Sequence, residues 1–219
     1  MKNSQDYSYP ILFTFRRCPY AIRARMALAY SDITVNLREI SLKNRPQALY
    51  ETSSKGTVPV LCINSARIID ESLEIMIWAL DQNDPDDWIS HDKKYQIELI
   101  KLCDDEFKYW LDRYKYFDRF PENDRMYYRE KCESYLYRIN GLLRENRFII
   151  NDSLSLVDIA IFPFIRQFNN VDKYWLGKFY PGLSKWLSKL MASQLFLSVM
   201  HKYPENHENS LIVNFNDNN

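Results

Sequence analysis

Apolar positions among the first eighty residues follow two different spacings, which predicts strands interspersed with helices. Short continuous or alternating apolar runs are typical of strands, and spacings of three and four are typical of helices. The predicted strands cover residues 11–15, 34–40, 58–63 and 67–69, and the predicted helices cover 21–30, one or two turns near Leu49, and 72–80. This order, β-α-β then α, β-β, α, predicts an α/β domain over residues 1–80.

Beyond residue 80 the apolar spacing becomes helical throughout. An acidic, proline-bearing stretch without periodicity predicts a linker at residues 81–91. Amphipathic helices are then predicted at 92–117 and 122–144, paired antiparallel, and shorter ones at 182–191 and 194–201. The pattern predicts an all-helical domain over 92–203 and a polar tail, 204–219, that is loose except where residues 211–215 dock.

One more helix of this domain has a recognisable start. Ser155 and Asp158 stand three residues apart before an apolar run, the spacing of a capping box in which each side chain bonds to the other's backbone N–H. Pro163 lies inside this predicted helix and is expected to bend it.

Composition disfavours a polyanionic partner. Positive and negative residues balance to a formal net charge of zero, so no overall field attracts nucleic acid or an anionic membrane. Aromatic residues make up 15% of the chain, which suits rings that fill helix seams or line an apolar pocket. The sequence shows no secretory signal and no run of membrane-spanning length.

The four cysteines lie far apart and match neither a zinc site nor a dense disulfide scaffold. We therefore expect no metal and a location in the reducing cytoplasm.

Cys18 carries the clearest chemical signal. It follows a predicted strand and precedes Pro19, a residue suited to the first helical position, so Cys18 is expected at the helix N-cap. Backbone N–H groups there, with Arg16, Arg17, Arg23 and Arg25 nearby, would lower its pKa well below the usual value of about 8.5 and favour a thiolate. On residue type alone, a buried inert thiol is the alternative.

Three further positions suggest a ligand site. Pro59 interrupts a predicted strand, which fits either a cis bond that exposes the Val58 backbone to an extended ligand or a trans bond at a sheet edge; the residues alone favour trans. Ser72 is expected as a helix N-cap that could receive a carboxylate, and Glu71 could take an ammonium. Arg45 could hold a second carboxylate or be solvated.

These residues fall within three motifs that resemble the N-terminal domain of cytosolic glutathione S-transferases, particularly the cysteine-type branch that includes the omega class. The motifs are Phe15-Arg16-Arg17-Cys18-Pro19-Tyr20-Ala21, Ser54-Lys55-Gly56-Thr57-Val58-Pro59-Val60-Leu61 and Asp70-Glu71-Ser72. The capping box and the late tryptophan-bearing helix resemble the family's second domain. The resemblance covers residues 10–200 and implies a thioredoxin-like domain followed by an all-α domain.

The resemblance implies glutathione as cosubstrate, with its cysteinyl backbone paired to Val58 beside Pro59. Its γ-glutamyl end would meet Glu71 and Ser72, and its glycine carboxylate would approach Arg45 or, with less support, Lys43. Cys18 would form a mixed disulfide with the glutathione sulfur.

Position 21 holds alanine where a dithiol glutaredoxin-like site would hold a second cysteine, so a second glutathione must release that intermediate. Such a site suits deglutathionylation, dehydroascorbate reduction or reductive removal of a thioether better than conjugation. The family resemblance also implies a homodimer and an acceptor pocket for a small electrophilic or disulfide substrate. Its expected lining is Phe107, Trp110, Tyr114 and Trp175.

Two other functions compete with this enzyme. The first is a non-enzymatic regulatory or binding protein on the same scaffold, against which the joint presence of Cys18, Val58-Pro59, Glu71 and Ser72 speaks. The second is a chloride-channel-like relative that inserts into membranes, which the short predicted helix at 21–30 does not favour.

Overall fold

The computed structural model describes residues 8–205 and 211–218. Residues 1–7, 206–210 and 219, which include parts of the predicted start and polar tail, lie outside the described residues. In chain order the elements are β1 (Ile11–Thr14), α1 (Pro19–Tyr30), β2 (Val35–Glu39), α2 (Gln47–Thr52), β3 (Val60–Cys62), β4 (Ile68–Ile69), α3 (Ser72–Gln82), α4 (Lys93–Leu102), α5 (Lys108–Lys115), α6 (Arg125–Glu145), α7 (Leu156–Asn169), α8 (Trp175–Phe179), α9 (Pro181–Met191), α10 (Gln194–Val199) and β5 (Leu211–Val213).

The described strands form one mixed sheet in the order β4-β3-β1-β2-β5. Strands β1 and β2 are parallel, whereas β3 is antiparallel to both β1 and β4. Because β4 therefore runs in the same direction as β1, the carboxyl ends of these two strands and the amino end of β3 meet at one edge of the sheet. The loops that follow β1 and β4 lie at that edge, where α1 and α3 begin.

The chain divides into two compact units, and the C-terminal segment belongs to the first. Unit 1 comprises residues 1–86 and 193–219, and unit 2 comprises 87–192. The sequence placed 194–201 in the helical domain and 204–219 in a tail. The structure differs because α10 packs on α1 and β5 pairs antiparallel with β2, with Val213 opposite Val35.

In unit 2 the predicted long helix is interrupted by a π-helical turn. The turn Cys103–Phe107 separates α4 from α5, and such a turn shifts the face that later residues present. Leu111 is consequently buried while Trp110 is only half-buried. Contacts such as Tyr135 with Leu99 and the Tyr127 ring with the Trp110 ring run in opposite directions along the two helices, which confirms the antiparallel pairing with α6.

Asp158 is the centre of the polar network at the start of α7. The predicted capping box is present, and the fully buried carboxylate accepts hydrogen bonds from the backbone N–H groups of Ile149 and Ser155, the Ser155 hydroxyl and the Trp186 indole N–H. Burial raises the pKa of Asp158 to about 6, against the opposing effect of these donors. The network joins the loop before α7 to α9.

We expect Asp158→Asn to lower the free energy of unfolding by about 2–4 kcal/mol, because every partner donates and an amide NH2 would face donors in either orientation. Urea denaturation measures the loss. Asp152→Asn is the matched control, since exposed Asp152 accepts a single N–H, from Arg147, which an amide oxygen can still accept. Equal stability of the two variants would show that the network contributes little.

Candidate functional site

Cys18 occupies the position that the sequence predicts. The chain turns after β1, where the Cys18 N–H donates to the Phe15 carbonyl at 3.0 Å, and Cys18 is the N-cap residue of α1 with Pro19 in the first turn. The thiol is only half-buried. A helix N-terminus favours negative charge, so this is a suitable place for a thiolate.

The Cys18 thiol contacts the backbone of Val58. The Cys18 Sγ lies 3.6 Å from the Val58 carbonyl oxygen, and Cys18 packs against an apolar cluster that includes Val58, Phe13 and Val60. The Val58-Pro59 bond is cis, so the trans bond that the residues alone favoured is wrong. Pro59 precedes β3, so its missing N–H removes no hydrogen bond from this internal strand.

The buried side chain of Arg25 binds the loop that precedes Cys18. Its side chain is 1% exposed and donates to the Thr14 hydroxyl at 2.5 Å, to the carbonyls of Phe15 and Arg16 at 3.4 and 2.7 Å, and to the Val199 carbonyl at 3.1 Å. Burial lowers the pKa of Arg25 to about 10, while the charges of Glu39 and Cys18 oppose the shift. This coupling is mutual, so the Arg25 cation favours the ionised form of Cys18.

Glu39 completes the support of this loop. Its carboxylate is 6% exposed and accepts the Arg16 backbone N–H at 2.6 Å. Burial raises the pKa of Glu39, opposed by that N–H and by the Arg25 charge. Glu39 is a residue of the site that the sequence did not predict. The alternation of buried and half-buried positions along β2 is the signal that could have predicted this role. It places Glu39 on the buried side of the strand, where a carboxylate needs a partner.

Arg23, also on α1, contacts Ser72 at the start of α3. Its side chain is 2% exposed, and its Nε donates to the Ser72 hydroxyl at 3.0 Å. Its guanidinium lies 5.1 Å from the centre of the Tyr20 ring. Arg23 therefore ties α1 to the start of α3, the second helix that begins at this edge of the sheet.

The structure shifts the predicted cap of α3 by one residue. Glu71 is the N-cap residue and Ser72 begins the helix, because the Glu71 carbonyl already accepts the Ile75 N–H. Glu71 is exposed and pairs with Lys55, whose ammonium lies 2.5 Å from Glu71 and 3.0 Å from Asp70. Hydrogen bonds to these two carboxylates raise the pKa of Lys55 to about 12. Lys55 belongs to one of the three motifs, but this pairing was not predicted from the sequence.

Arg45 stands apart from the other predicted site residues. It is exposed and lies just before α2. Within residues 8–205 and 211–218 it forms no hydrogen bond or ion pair with Cys18, Val58 or Glu71. The structure thus brings Cys18, Val58, Glu71 and Ser72 to one edge of the sheet and leaves Arg45 on the surface.

Most of the rings predicted to line an acceptor pocket fill the core of unit 2. Phe107, Tyr114 and Trp175 are 1%, 2% and 8% exposed. Phe168 contacts all three, with ring centres 6.0, 5.1 and 5.7 Å away respectively. For these three residues the structure favours the alternative in which rings fill helix seams; Trp110 is half-buried.

The described residues show no group of three or more His, Cys, Asp or Glu side chains that could hold a metal ion. Among the helices that the structure describes, none is long and apolar enough to cross a membrane.

Comparison with known families agrees with this arrangement. Residues 12–88 match the model of the glutathione S-transferase N-terminal domain, and residues 102–194 match that of the C-terminal domain. The chain belongs to the glutathione S-transferase superfamily. Its fold, a thioredoxin-like domain followed by an all-helical domain, is the glutathione S-transferase architecture that the sequence predicts.

Individual glutathione S-transferases show the same relationship. Mouse glutathione S-transferase omega-1 is 25% identical over 181 residues, which cover 82% of this chain and 75% of the mouse protein. A solved glutathione transferase from Phanerochaete chrysosporium, in complex with oxidized glutathione, has a TM-score of 0.75 at 15% identity and covers 87% of this chain and 94% of its own. The solved structure of a glutathione transferase family member from Pseudomonas fluorescens, with two glutathione bound, has a TM-score of 0.72 at 15% identity. The match covers 90% of this chain and 95% of the Pseudomonas chain.

We expect Arg25→Lys to lower the free energy of unfolding by about 2–4 kcal/mol, because one ammonium cannot reach the hydroxyl and three carbonyls that the guanidinium serves. Urea denaturation measures the effect. Arg17→Lys, the same change at an exposed position, controls for the substitution itself and should lie within about 0.5 kcal/mol of the parent. A parent-like Arg25→Lys would contradict the role given to Arg25.

Proposed function

We propose that this glutathione S-transferase is a glutathione-dependent thiol transferase in which Cys18 is the nucleophile. The observation that carries the proposal is the placement of the Cys18 thiol: half-buried, at the N-terminus of α1, and coupled electrostatically to the buried Arg25. The helix N-terminus and the Arg25 charge favour the thiolate, which is the attacking form of cysteine, and partial exposure leaves the sulfur accessible. The mouse omega-1 relative supports an enzyme of the glutathione S-transferase type.

The contact between Cys18 and Val58 makes the thiol responsive to a ligand. In this contact the S–H donates to the Val58 carbonyl oxygen, which a thiolate cannot do. An S–H group is a weak donor, so little is lost when the proton leaves. A ligand that uses the Val58 carbonyl as its own acceptor removes this contact and favours ionisation of Cys18.

Glutathione is the ligand that we propose for this edge of the sheet. Val58, beside Pro59, offers backbone groups for the extended cysteinyl part of glutathione, in the manner of an added strand. Two solved relatives of the same fold are described with glutathione or oxidized glutathione bound.

Glu71 and Ser72 form the proposed binding site for the γ-glutamyl end of glutathione. Glu71 already accepts one ammonium, that of Lys55, so an amino group of a ligand would exchange with it or share the carboxylate. The Ser72 hydroxyl, held by Arg23, lies at the start of α3, where backbone N–H groups favour a carboxylate. Exposed Arg45 remains the proposed contact for the glycine carboxylate.

The proposed reaction consists of two thiol–disulfide exchanges. The Cys18 thiolate attacks the glutathione sulfur of a mixed disulfide, a Cys18–glutathione disulfide forms, and the other thiolate leaves and takes a proton from water. A glutathione thiolate then attacks this disulfide, forms oxidized glutathione and restores the Cys18 thiolate. Glutathione supplies both electrons, so no further reductant is needed.

The other cysteines do not compete for this chemistry. Cys62, Cys103 and Cys132 are buried. Burial raises the pKa of Cys62 to about 11 and that of Cys132 further still. Alanine at position 21 leaves no thiol one helical turn beyond Cys18, so we propose that the intermediate waits for a second glutathione.

Incubation with oxidized glutathione should add one glutathionyl group to the protein, on Cys18, and reduced glutathione should remove it. Intact mass and peptide mapping measure the adduct. Cys18→Ser should form none and should stay close to the parent's stability, because serine is nearly the same size as cysteine and its hydroxyl can still donate a hydrogen bond. An adduct on another cysteine, or none on Cys18, would contradict the assignment of the nucleophile.

The rate of adduct formation in the same assay tests the proposed contact between Glu71 and glutathione. Glu71→Gln should slow adduct formation by up to about fivefold, the value of one exposed charge interaction. Glu74→Gln, at an exposed carboxylate in the first turn of the same helix, is the matched control and should react at the parent rate. Equal rates for both variants would remove Glu71 from the proposed site.

A binding protein without chemistry is the outcome that would replace the enzyme. Such a protein would be retained on immobilised glutathione yet form no adduct at Cys18. The homodimer, the cytoplasmic location and the choice among small disulfide, dehydroascorbate and thioether substrates stay predictions.

A further inference from the structure

Unit 2 contains a cavity of about 340 Å³ that shares no residue with the candidate site. Its walls come from the end of α6, the loop after it, and one face of α9. Pockets that hold small organic molecules begin at about this volume. The cavity lies entirely within residues 87–192, so it belongs to the helical unit alone.

The lining carries three cations and no carboxylate. Arg147, Lys185 and Lys189 line the cavity and are all exposed. Lys185 and Lys189 stand four residues apart on α9, where like charges repel each other. Within the part of the chain that the structure describes, none of the three side chains forms an ion pair with a carboxylate. Asp152 accepts the backbone N–H of Arg147.

The charge of this cluster already affects its members. Burial lowers the pKa of Lys189, and the neighbouring charges of Arg147 and Lys185 lower it further, while Asp158 opposes them. Asp158 is fully buried and is occupied by the capping box and the Trp186 indole N–H. An anion in the cavity would relieve a repulsion that the protein itself leaves unbalanced.

Trp186 and Leu143 form the apolar part of the cavity lining. Trp186 is 3% exposed, and because its N–H is bonded to Asp158 it offers only its ring to the cavity. Leu143 contributes a second apolar side chain. The Lys189 ammonium lies 4.0 Å from the centre of the Phe148 ring, a cation–π contact that positions it.

We propose that this cavity binds a small organic anion with a flat apolar body and a terminal phosphate or sulfate group. The body would pack against Trp186 and Leu143, and the anionic group would be held by Arg147, Lys185 and Lys189. This site is additional to the proposed glutathione site and does not depend on Cys18.

The binding test uses 1-naphthyl phosphate as the probe, with 1-naphthol and inorganic phosphate as its two halves, in isothermal titration calorimetry of the full chain. Excess glutathione is present so that the candidate site at Cys18 is occupied. We expect the intact probe to bind at least about tenfold more tightly than either half, and 1-naphthyl sulfate to bind as well. Binding of 1-naphthol as tight as that of the phosphate ester would overturn the role of the cations.

Two lysine variants locate the binding. The double variant Lys185→Gln/Lys189→Gln should bind the probe about tenfold more weakly, because two charge interactions near the surface are lost. Lys93→Gln/Lys94→Gln, two exposed lysines on α4 of the same unit, is the matched control and should bind as the parent does. Equal weakening in both variants, or in neither, would overturn the assignment.

A chemical measurement on the unmutated protein gives an independent location. Trace acetylation with acetic anhydride, read by peptide mass spectrometry, reports which amines a ligand covers. The probe should protect Lys185 and Lys189 and leave Lys178, an exposed lysine that lies over the Phe179 ring, unprotected. Binding without protection of Lys185 and Lys189 would place the probe elsewhere and refute the proposal.

Discussion

The buried guanidinium of Arg25 is the interaction on which the candidate site depends. It binds the end of β1, both carbonyls of the following turn and the end of α10. Glu39 fixes the N–H of the same turn. A buried cation and a buried carboxylate each require partners, and here the partners are the backbone groups that place Cys18 at the N-terminus of α1. These two charged groups shape the turn, and the Arg25 cation favours a thiolate in it.

The sheet explains why distant residues meet at this turn. Because β1 and β4 run in the same direction and β3 runs against them, Cys18, Val58 and Glu71 all lie where one edge of the sheet meets the starts of α1 and α3. The C-terminal segment strengthens the same unit, since β5 pairs with β2 and Asn216 donates to the Ala29 carbonyl at the end of α1.

Local signals in the sequence predicted the parts of the structure that depend on neighbouring residues. Pro19 after Cys18 fixed a helix start, and Ser155 with Asp158 fixed another. Features that depend on residues far apart in the chain were harder to predict. The partners of Arg25 and Glu39, the pairing of β5 with β2, and the contact of Lys55 with Glu71 all join separate segments. The buried positions of Phe107 and Tyr114 follow from helix packing, which residue type alone does not reveal.

The central claim is that Cys18 is ionised at neutral pH, and the pH dependence of its alkylation tests this claim most directly. Iodoacetamide reacts with the thiolate, so the rate at Cys18, followed by peptide mass spectrometry from about pH 4 to 10, traces its ionisation. The account predicts a half-maximal rate below pH 7, with buried Cys62 reacting far more slowly throughout. A half-maximal rate near pH 8.5, the value of an ordinary thiol, would contradict it.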